Sequence, residues 1–181
     1  MRIRYNAPVI LTFSLLAILI LVLNATIMPR LTYRYFAVAG SIDWGSVAHW
    51  FRLFSHPLGH AGWAQLAGNL TFVLLLGPML EARYGGRWLL LLMLVTAVTA
   101  GLANVLLFNT TLLGASGVVF MLLALTAMTD LRAGTLPLTF LLLAAIFISG
   151  ELLLASDRSA SQIAHLIGGG VGALIGVLLR R

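Results

Sequence analysis

Long apolar runs alternate with short polar breaks along this chain of 181 residues. A helix needs about 20 predominantly apolar residues to cross a membrane, because the hydrocarbon core is about 30 Å thick and each residue adds about 1.5 Å. Six runs reach or approach that length, so the pattern predicts an all-α polytopic membrane protein. The predicted spans are Pro8–Met28, Gly62–Leu80, Arg87–Phe108, Ser116–Thr129, Leu136–Ala155 and Ser161–Leu179.

The fourth span is the shortest, at roughly 21–24 Å, and cannot cross the whole bilayer. We therefore expect its N-terminus to be buried in protein, with irregular backbone above it lining a wet cavity. The segment between the first two spans is too polar to cross, and its aromatic residues, including Trp44 and Trp50, predict an interfacial loop. No repeat or linker divides the sequence, so one domain over residues 1–181 is expected.

The composition agrees with a membrane protein, since 61% of the residues are hydrophobic and 9% are charged. A soluble domain is about half apolar and about a quarter charged. The first run is also longer than a signal-peptide core of about 7–15 residues, and no small-residue cleavage site follows it, so we expect a retained helix. The chain has no cysteine, which excludes disulfides and thiolate metal sites.

The net charge of +6 comes from arginines at the ends of the apolar runs, which indicates topology signals and not a nucleic-acid surface. A cytoplasmic N-terminus gives a modest positive-inside bias. We therefore expect a multi-pass protein of the plasma membrane with its N-terminus in the cytoplasm. The inner arginines would be Arg2, Arg4, Arg83, Arg87, Arg132, Arg180 and Arg181, and the outer ones Arg30, Arg34, Arg52 and Arg158.

Three polar residues interrupt the even-numbered spans, which run in the same direction: Asn69, Ser116 and His165. Measured from the arginine at each inner end, they lie at roughly 21, 24 and 22 Å, which predicts one common depth. Polar residues inside a membrane are functional candidates. A hydroxyl, an imidazole and a carboxamide can serve as nucleophile, general base and oxyanion donor.

Small residues predict that Ser116 and His165 meet. His165 precedes a ridge of glycines, and such ridges let helix backbones approach closely in membranes. A close approach would bring the imidazole within hydrogen-bond reach of the hydroxyl, about 2.6–3.2 Å. The ridge is Gly168, Gly172 and Gly176, and the facing positions of the fourth span are Ser116, Phe120, Leu123, Ala124 and Ala127.

Each of these residues also has a structural interpretation. Ser116 could be a helix N-cap, and His165 and Asn69 could form interhelical hydrogen bonds. His56 and His60 are four residues apart, but no carboxylate or cysteine lies nearby to complete a metal site. For these two histidines we expect interfacial hydrogen bonding and no metal.

Four motifs, taken together and in this order, resemble the rhomboid family of intramembrane serine proteases over essentially the whole chain. "QLAGNL" begins at Gln65, where the family usually has H-L-x-x-N, and "GPMLEARYG" reproduces its G-x-x-x-E-x-x-x-G pattern. "GASG" at 114–117 matches G-x-S-G, and "AHLIGGGVGALIG" resembles the motif around the family's catalytic histidine. We expect Glu81 and Arg83 to anchor the inner end of the second span, without a catalytic role.

The resemblance implies a Ser–His dyad with Ser116 as nucleophile and His165 as general base. The oxyanion would be held by the Ser116 backbone N–H and the Asn69 side chain, with Gln65 replacing the family's histidine as a further donor. No metal or cofactor is implied, and the substrates would be single-span transmembrane proteins in the lipid bilayer. The family's W-R pair is altered here to "HWFRLFS", in which Phe51 separates Trp50 from Arg52.

Two alternatives remain at this point. One is a catalytically inactive rhomboid-like protein that binds transmembrane helices, which the Gln65 replacement keeps open. The other is a small transporter, although inverted-repeat transporters show two corresponding broken helices and only one break is evident here. The sequence makes no prediction of the oligomeric state or of a particular substrate.

Overall fold

A computed structural model describes residues 5–41, 43–108, 110–132, 135, 138–154 and 158–178. The described part of the chain is built from α-helices, and a 3₁₀ turn at His56–Leu58 follows the third of them. The helices are α1 (Pro8–Thr26), α2 (Leu31–Tyr35), α3 (Val47–Ser55), α4 (Trp63–Tyr84), α5 (Gly86–Leu107), α6 (Ser116–Arg132), α7 (Leu138–Leu154) and α8 (Arg158–Leu178).

Each predicted span corresponds to one helix, namely α1 and α4 to α8, which confirms the all-α bundle. By length and composition, α1, α4 and α5 can each cross a membrane. The apolar described parts of the other three are shorter: Ser116–Met128, Leu138–Gly150 and Ala164–Ile175. The predicted ends at Leu136, Ala155 and Leu179 lie outside the described residues.

Helix α6 lies at the centre of the bundle, and it is buried, as predicted for the fourth span. Its side chains at Val119, Met121, Leu122 and Leu125 are completely buried. Helices α8, α4 and α5 pack around it, α1 packs against α4 and α5, and α7 makes fewer contacts. The N-terminus of α6 is therefore enclosed by protein.

Helix α4 continues through Pro78 to Tyr84, although the second span was predicted to end at Leu80. The difference arises because Glu81 is buried and used inside the protein. Its two carboxylate oxygens accept hydrogen bonds from the backbone N–H groups of Val9 and Ile10, each at 3.0 Å. These first N–H groups of α1 have no intrahelical acceptor, and a carboxylate there also complements the helix dipole. The predicted anchoring role of Glu81 is confirmed.

The two glycines of the "GPMLEARYG" motif complete the contact between α1 and α4. A Cβ at Gly77 would lie 2.5 Å from Ile10 Cδ1, so only glycine lets the helices pack this closely. Gly85 ends α4 with a φ of 84° and donates its N–H to the Glu81 carbonyl at 2.9 Å. The motif thus supplies close packing, a cap and a turn.

The segment between α1 and α4 contains α2, α3 and the 3₁₀ turn. Helix α3 buries Leu53 and exposes Trp50, Phe51 and Phe54, which suits a helix lying in the membrane interface. Arg52 donates from Nε to the Arg34 carbonyl at 3.0 Å, which ties α3 to α2. Despite this alteration, the "HWFRLFS" motif therefore still holds the interfacial segment together.

Candidate active site

The interfacial segment holds the stretch of chain that leads into α6. Val38 and Leu112 form an isolated antiparallel bridge with two backbone hydrogen bonds of 2.9 Å. Two residues later, Gly114 donates its N–H to the His56 carbonyl at 3.1 Å. Sequence reasoning missed both contacts, because their partners are far apart along the chain and no motif spacing marks them.

Gly114 turns the chain sharply just before Ser116. Its φ of 108° is in the region that favours glycine, and a Cβ there would lie 2.7 Å from Gln65 Nε2. The Ala115 carbonyl accepts the first helical bond, from Val119 N–H at 2.9 Å. Ala115 therefore occupies the N-cap position and Ser116 is the first helical residue, so capping does not account for the serine. The first N–H groups of any α-helix lack intrahelical acceptors and are available to an anion.

Helices α6 and α8 touch backbone to backbone beside Ser116, which confirms the predicted close approach. A Cβ at Gly117 would lie 3.1 Å from the Ala164 carbonyl oxygen. A Cβ at Gly168 would overlap the Gly117 carbonyl, and one at Gly172 would overlap the Met121 carbonyl. The surroundings of Gly176 lie outside the described part of the structure.

This packing places the His165 imidazole over the face of α6 that carries Ser116. The imidazole stacks on the ring of Phe120, with centroids 4.3 Å apart and planes within 13°. Phe120 lies one helical turn after Ser116, on the same face. Stacking on Phe120 fixes the plane of the imidazole.

A second aromatic ring, missed by the sequence reasoning, borders the imidazole from α7. The ring centroid of Phe147 lies 6.1 Å from that of His165 and 4.8 Å from that of Phe72 on α4. One Phe in an apolar helix carries no signal that would have marked it. The wall it forms lies between His165 and the outside of the bundle at α7.

Gln65 and Asn69 lie one turn apart on α4 and approach the Gly114 turn from the other side. Gln65 Oε1 accepts the Ala61 N–H at 2.9 Å, which leaves the Gln65 amide N–H₂ directed at Gly114. Asn69 Nδ2 lies 3.8 Å from the position a Gly114 Cβ would take. Two amide donors therefore face the turn that precedes Ser116.

The Asn69 amide is 1% exposed, and neither of its polar atoms has a hydrogen-bond partner among the described residues. Burying a polar group without a partner is costly, and such groups in native structures call for an explanation. A residue that joins helices by hydrogen bonding would have a partner. An amide reserved for a transient oxyanion would not, so this observation favours the predicted donor role.

His56 and His60 contact backbone carbonyls within the interfacial segment or beside it. His56 donates from Nε2 to the Ala97 carbonyl at 3.0 Å, and His60 Nδ1 lies 3.3 Å from the Leu58 carbonyl. Burial lowers the pKa of His56 to about 4, although the hydrogen bond to Ala97 opposes this shift. His56 is thus held neutral where its own carbonyl supports Gly114.

We predict a loss of stability in acid that depends on His56. Its pKa falls from 6.5 in the unfolded chain to about 4 in the folded protein. Between these values the unfolded chain binds the extra proton, so stability is full above pH 6.5 and decreases down to pH 4, by about 3 kcal/mol in total. Thermal unfolding of the parent and of His56→Gln, which keeps an Nε2 donor but does not titrate, measures the effect.

The control is His49→Gln, which replaces a half-buried histidine of the same segment. This variant should lose as much stability in acid as the parent does. The stability of His56→Gln should change less between pH 6.5 and 4. Equal pH dependence in the parent and in His56→Gln would contradict the prediction.

The fold and the site together define an integral membrane protein in which polar side chains converge at the buried N-terminus of a central helix. Residues 47–181 match the family profile described as the Rhomboid domain. The chain belongs to the rhomboid family. It is 29% identical over 147 residues to Rhomboid-like protein 11, chloroplastic, of Arabidopsis thaliana, in an alignment covering 72% of this chain. The chain spans about half the length of that relative, 51%.

Proposed function

We propose that the protein is an intramembrane serine endopeptidase that cleaves transmembrane segments of other membrane proteins. Ser116 is the nucleophile and His165 the general base. The observation that carries the proposal is the stacking of the His165 imidazole on Phe120, one turn from Ser116, where α6 and α8 are closest. Membership of the rhomboid family supports it.

The reaction follows from the chemistry of these groups. His165 takes the proton of the Ser116 hydroxyl as its oxygen attacks the scissile carbonyl, and His165 then protonates the departing amine. Water then hydrolyses the acyl-enzyme, with His165 again as the base. No metal or cofactor takes part in these steps.

The negative oxygen of the tetrahedral intermediate needs donors that are in place beforehand. The Ser116 N–H belongs to the first turn of α6, and the amides of Asn69 and Gln65 face the Gly114 turn that directly precedes it. Gln65 replaces the family's usual histidine but keeps an N–H donor. Its hydrogen bond with Ala61 sets the orientation of that donor.

The substrate helix enters from the lipid at α7. On the inner side of α7, Phe147 packs against Phe72 of α4 and Phe120 of α6. Displacing the Phe147 ring uncovers one side of His165. A transmembrane segment that unwinds locally at this place brings a peptide carbonyl to Ser116.

The arginine distribution supports a cytoplasmic N-terminus, which places Ser116 near the outer side of the membrane. We propose the plasma membrane as the location. Accessibility of single cysteines added before α1 and in the interfacial segment to a membrane-impermeant thiol reagent tests this orientation.

The second candidate function is binding of transmembrane helices without cleavage. The replacement of the family's histidine by Gln65 favours it. Two assays separate the candidates: cleavage of a tagged single-span protein in liposomes, and labelling of Ser116 by a fluorophosphonate. A protease cleaves and is labelled. A protein that only binds captures the substrate uncut, takes no label, and would overturn the proposed function.

The oxyanion assignment predicts a separate effect on turnover. Asn69→Ala and Gln65→Met should each lower kcat by about 10²-fold with little change in KM, because a transition-state donor is lost. Gln65→His, in contrast to Gln65→Met, keeps an N–H donor at this position, so its kcat should stay within about tenfold of that of the parent. Steady-state cleavage of the model substrate provides both constants.

Stability measurements distinguish this role from a structural one. Asn69 has no partner among the described residues, so Asn69→Ala should not lower the melting temperature. A lower melting temperature with unchanged kcat would instead make Asn69 a structural residue. An unchanged kcat in Gln65→Met would show that Gln65 is not an oxyanion donor.

A further inference from the structure

A half-enclosed cavity of about 410 Å³ lies on the side of the bundle opposite α7, between α1, α5 and the interfacial segment. Among the described residues that line it, Thr12 is the only polar one, and its hydroxyl is paired with the Tyr5 hydroxyl at 2.7 Å. Leu16 and Leu90 line the cavity and are 43% and 44% exposed. The cavity therefore opens toward lipid and offers an apolar ligand only apolar contacts.

The cavity has the depth of one lipid leaflet. Along α1 its lining runs from Pro8 to Leu16, about 12 Å at the helical rise. One leaflet contributes about 15 Å to the hydrocarbon core. The far end is closed by Phe54 and Pro57 of the interfacial segment. An extended acyl chain entering at the α1 N-terminus would fill this space, whereas a helix of about 10 Å diameter would not.

Positive charge lies at the mouth of the cavity. The N-termini of α1 and α5 are adjacent, since a Cβ at Gly86 would lie 3.1 Å from Val9 Cγ2. Arg87 is exposed on the first turn of α5, one turn before Leu90. The Glu81 carboxylate also lies beside the N-terminus of α5, with Oε1 3.0 Å from the position a Gly86 Cβ would take, so Arg87 supplies the attraction for an anion here. The neighbouring Glu81 carboxylate is occupied by the two N–H groups of α1.

We propose that this cavity is a binding site for an anionic phospholipid. One acyl chain lies between α1 and α5, and the phosphate group lies against Arg87. Packing, not water exclusion, drives association inside a membrane, so a groove of this shape gains dispersion energy only when a chain fills it. Binding of the lipid at this site does not require the proposed protease activity.

The inner wall of the cavity connects the lipid to the first turn of α6. Val118 lines the cavity and lies two residues after Ser116, on the side of α6 away from His165. A bound acyl chain therefore supports the helix turn that carries Ser116. Lipid removal is expected to lower the melting temperature.

The test uses the full chain, purified in detergent and depleted of lipid. Binding of phosphatidylglycerol, phosphatidylcholine and oleic acid is titrated by native mass spectrometry. Phosphatidylglycerol should bind about fivefold more tightly than phosphatidylcholine, as expected for one arginine near a headgroup of net negative charge, because the choline cation offsets the phosphate of phosphatidylcholine. Arg87→Gln should remove this preference, while Arg34→Gln, which removes an exposed charge in α2, should keep it.

Two leucines of α5 give a matched pair for the acyl chain. Leu90 lines the cavity, whereas its equally exposed neighbour Leu91 does not. Leu90→Trp should fill the cavity and weaken phosphatidylglycerol binding at least about tenfold, and Leu91→Trp should bind like the parent. Phosphatidylglycerol with a photoreactive acyl chain should cross-link the parent protein at residues 8–16 and 90–94, which tests the site without any variant.

Each arm can overturn the proposal. Equal binding of oleic acid and phosphatidylglycerol would identify a free fatty acid as the occupant. If Arg87→Gln still prefers phosphatidylglycerol over phosphatidylcholine, then Arg87 does not contact the phosphate. Cross-links spread over the exposed leucines of α7 would show general solvation by lipid. None of these readouts depends on cleavage, so the protease proposal stands or fails separately.

Discussion

Ser116→Ala and His165→Ala should each reduce cleavage of a single-span substrate by at least about 10³-fold, because each removes a whole component of nucleophilic catalysis. The double variant should be no worse than either single variant, since residues that act as one unit are not additive. Initial rates in liposomes at matched protein concentration measure all three. Fluorophosphonate labelling should be lost in both single variants.

Folding controls are essential to this result. Ser116→Ala removes one small hydroxyl and should melt like the parent. Thr126→Ala is the matched control on the same helix, since its buried hydroxyl bonds only its own helix, at Leu122 O, 2.8 Å away. Thr126→Ala should cleave at nearly the parent rate. A Ser116→Ala variant that still cleaves would exclude Ser116 as the nucleophile.

Gly168→Ala should cause the largest loss of stability among single methyl additions in α8. Its new Cβ would overlap the backbone carbonyl of Gly117, which cannot rotate away as a side chain would. Overpacking of this kind costs about 1–3 kcal/mol or more. Because His165 lies one turn before Gly168, separating the helices also moves the imidazole away from Ser116. Thermal unfolding and the fluorophosphonate labelling rate should therefore both decrease.

Gly170→Ala is the matched control, because nothing lies within 4 Å of a Cβ at that exposed position. Alanine is the better helix former by about 1 kcal/mol, so this variant should be as stable as the parent or slightly more stable. If Gly168→Ala and Gly170→Ala behaved alike, the close contact between α6 and α8 would not be a determinant of the site.

The parts of the structure that were predictable from sequence depend on local patterns. Run length located six helices, and the spacing of Gly168 and Gly172 predicted which face of α8 meets α6. These features are periodic along one segment, so no knowledge of the partner segment is needed. The predicted meeting of Ser116 and His165 rests on this contact between the two helix faces.

The remaining features depend on pairs of segments that are distant along the chain. The charge of Glu81 ended the apolar run, and nothing local revealed that two N–H groups of α1 would bury it. The hydrogen bond from Gly114 to His56 and the orientation of the Gln65 amide likewise required the folded chain. The cavity between α1 and α5 is a space and has no sequence signature.

The capping of α1 by Glu81 has a consequence for the order of assembly during synthesis. Helix α1 leaves the ribosome before α4 exists, so its first N–H groups must initially donate hydrogen bonds to water or to lipid headgroups. Only when α4 has inserted can the carboxylate replace those waters. Helix α1 is therefore made before α4 but reaches its final place only after α4 has inserted, by docking onto a helix that forms after it.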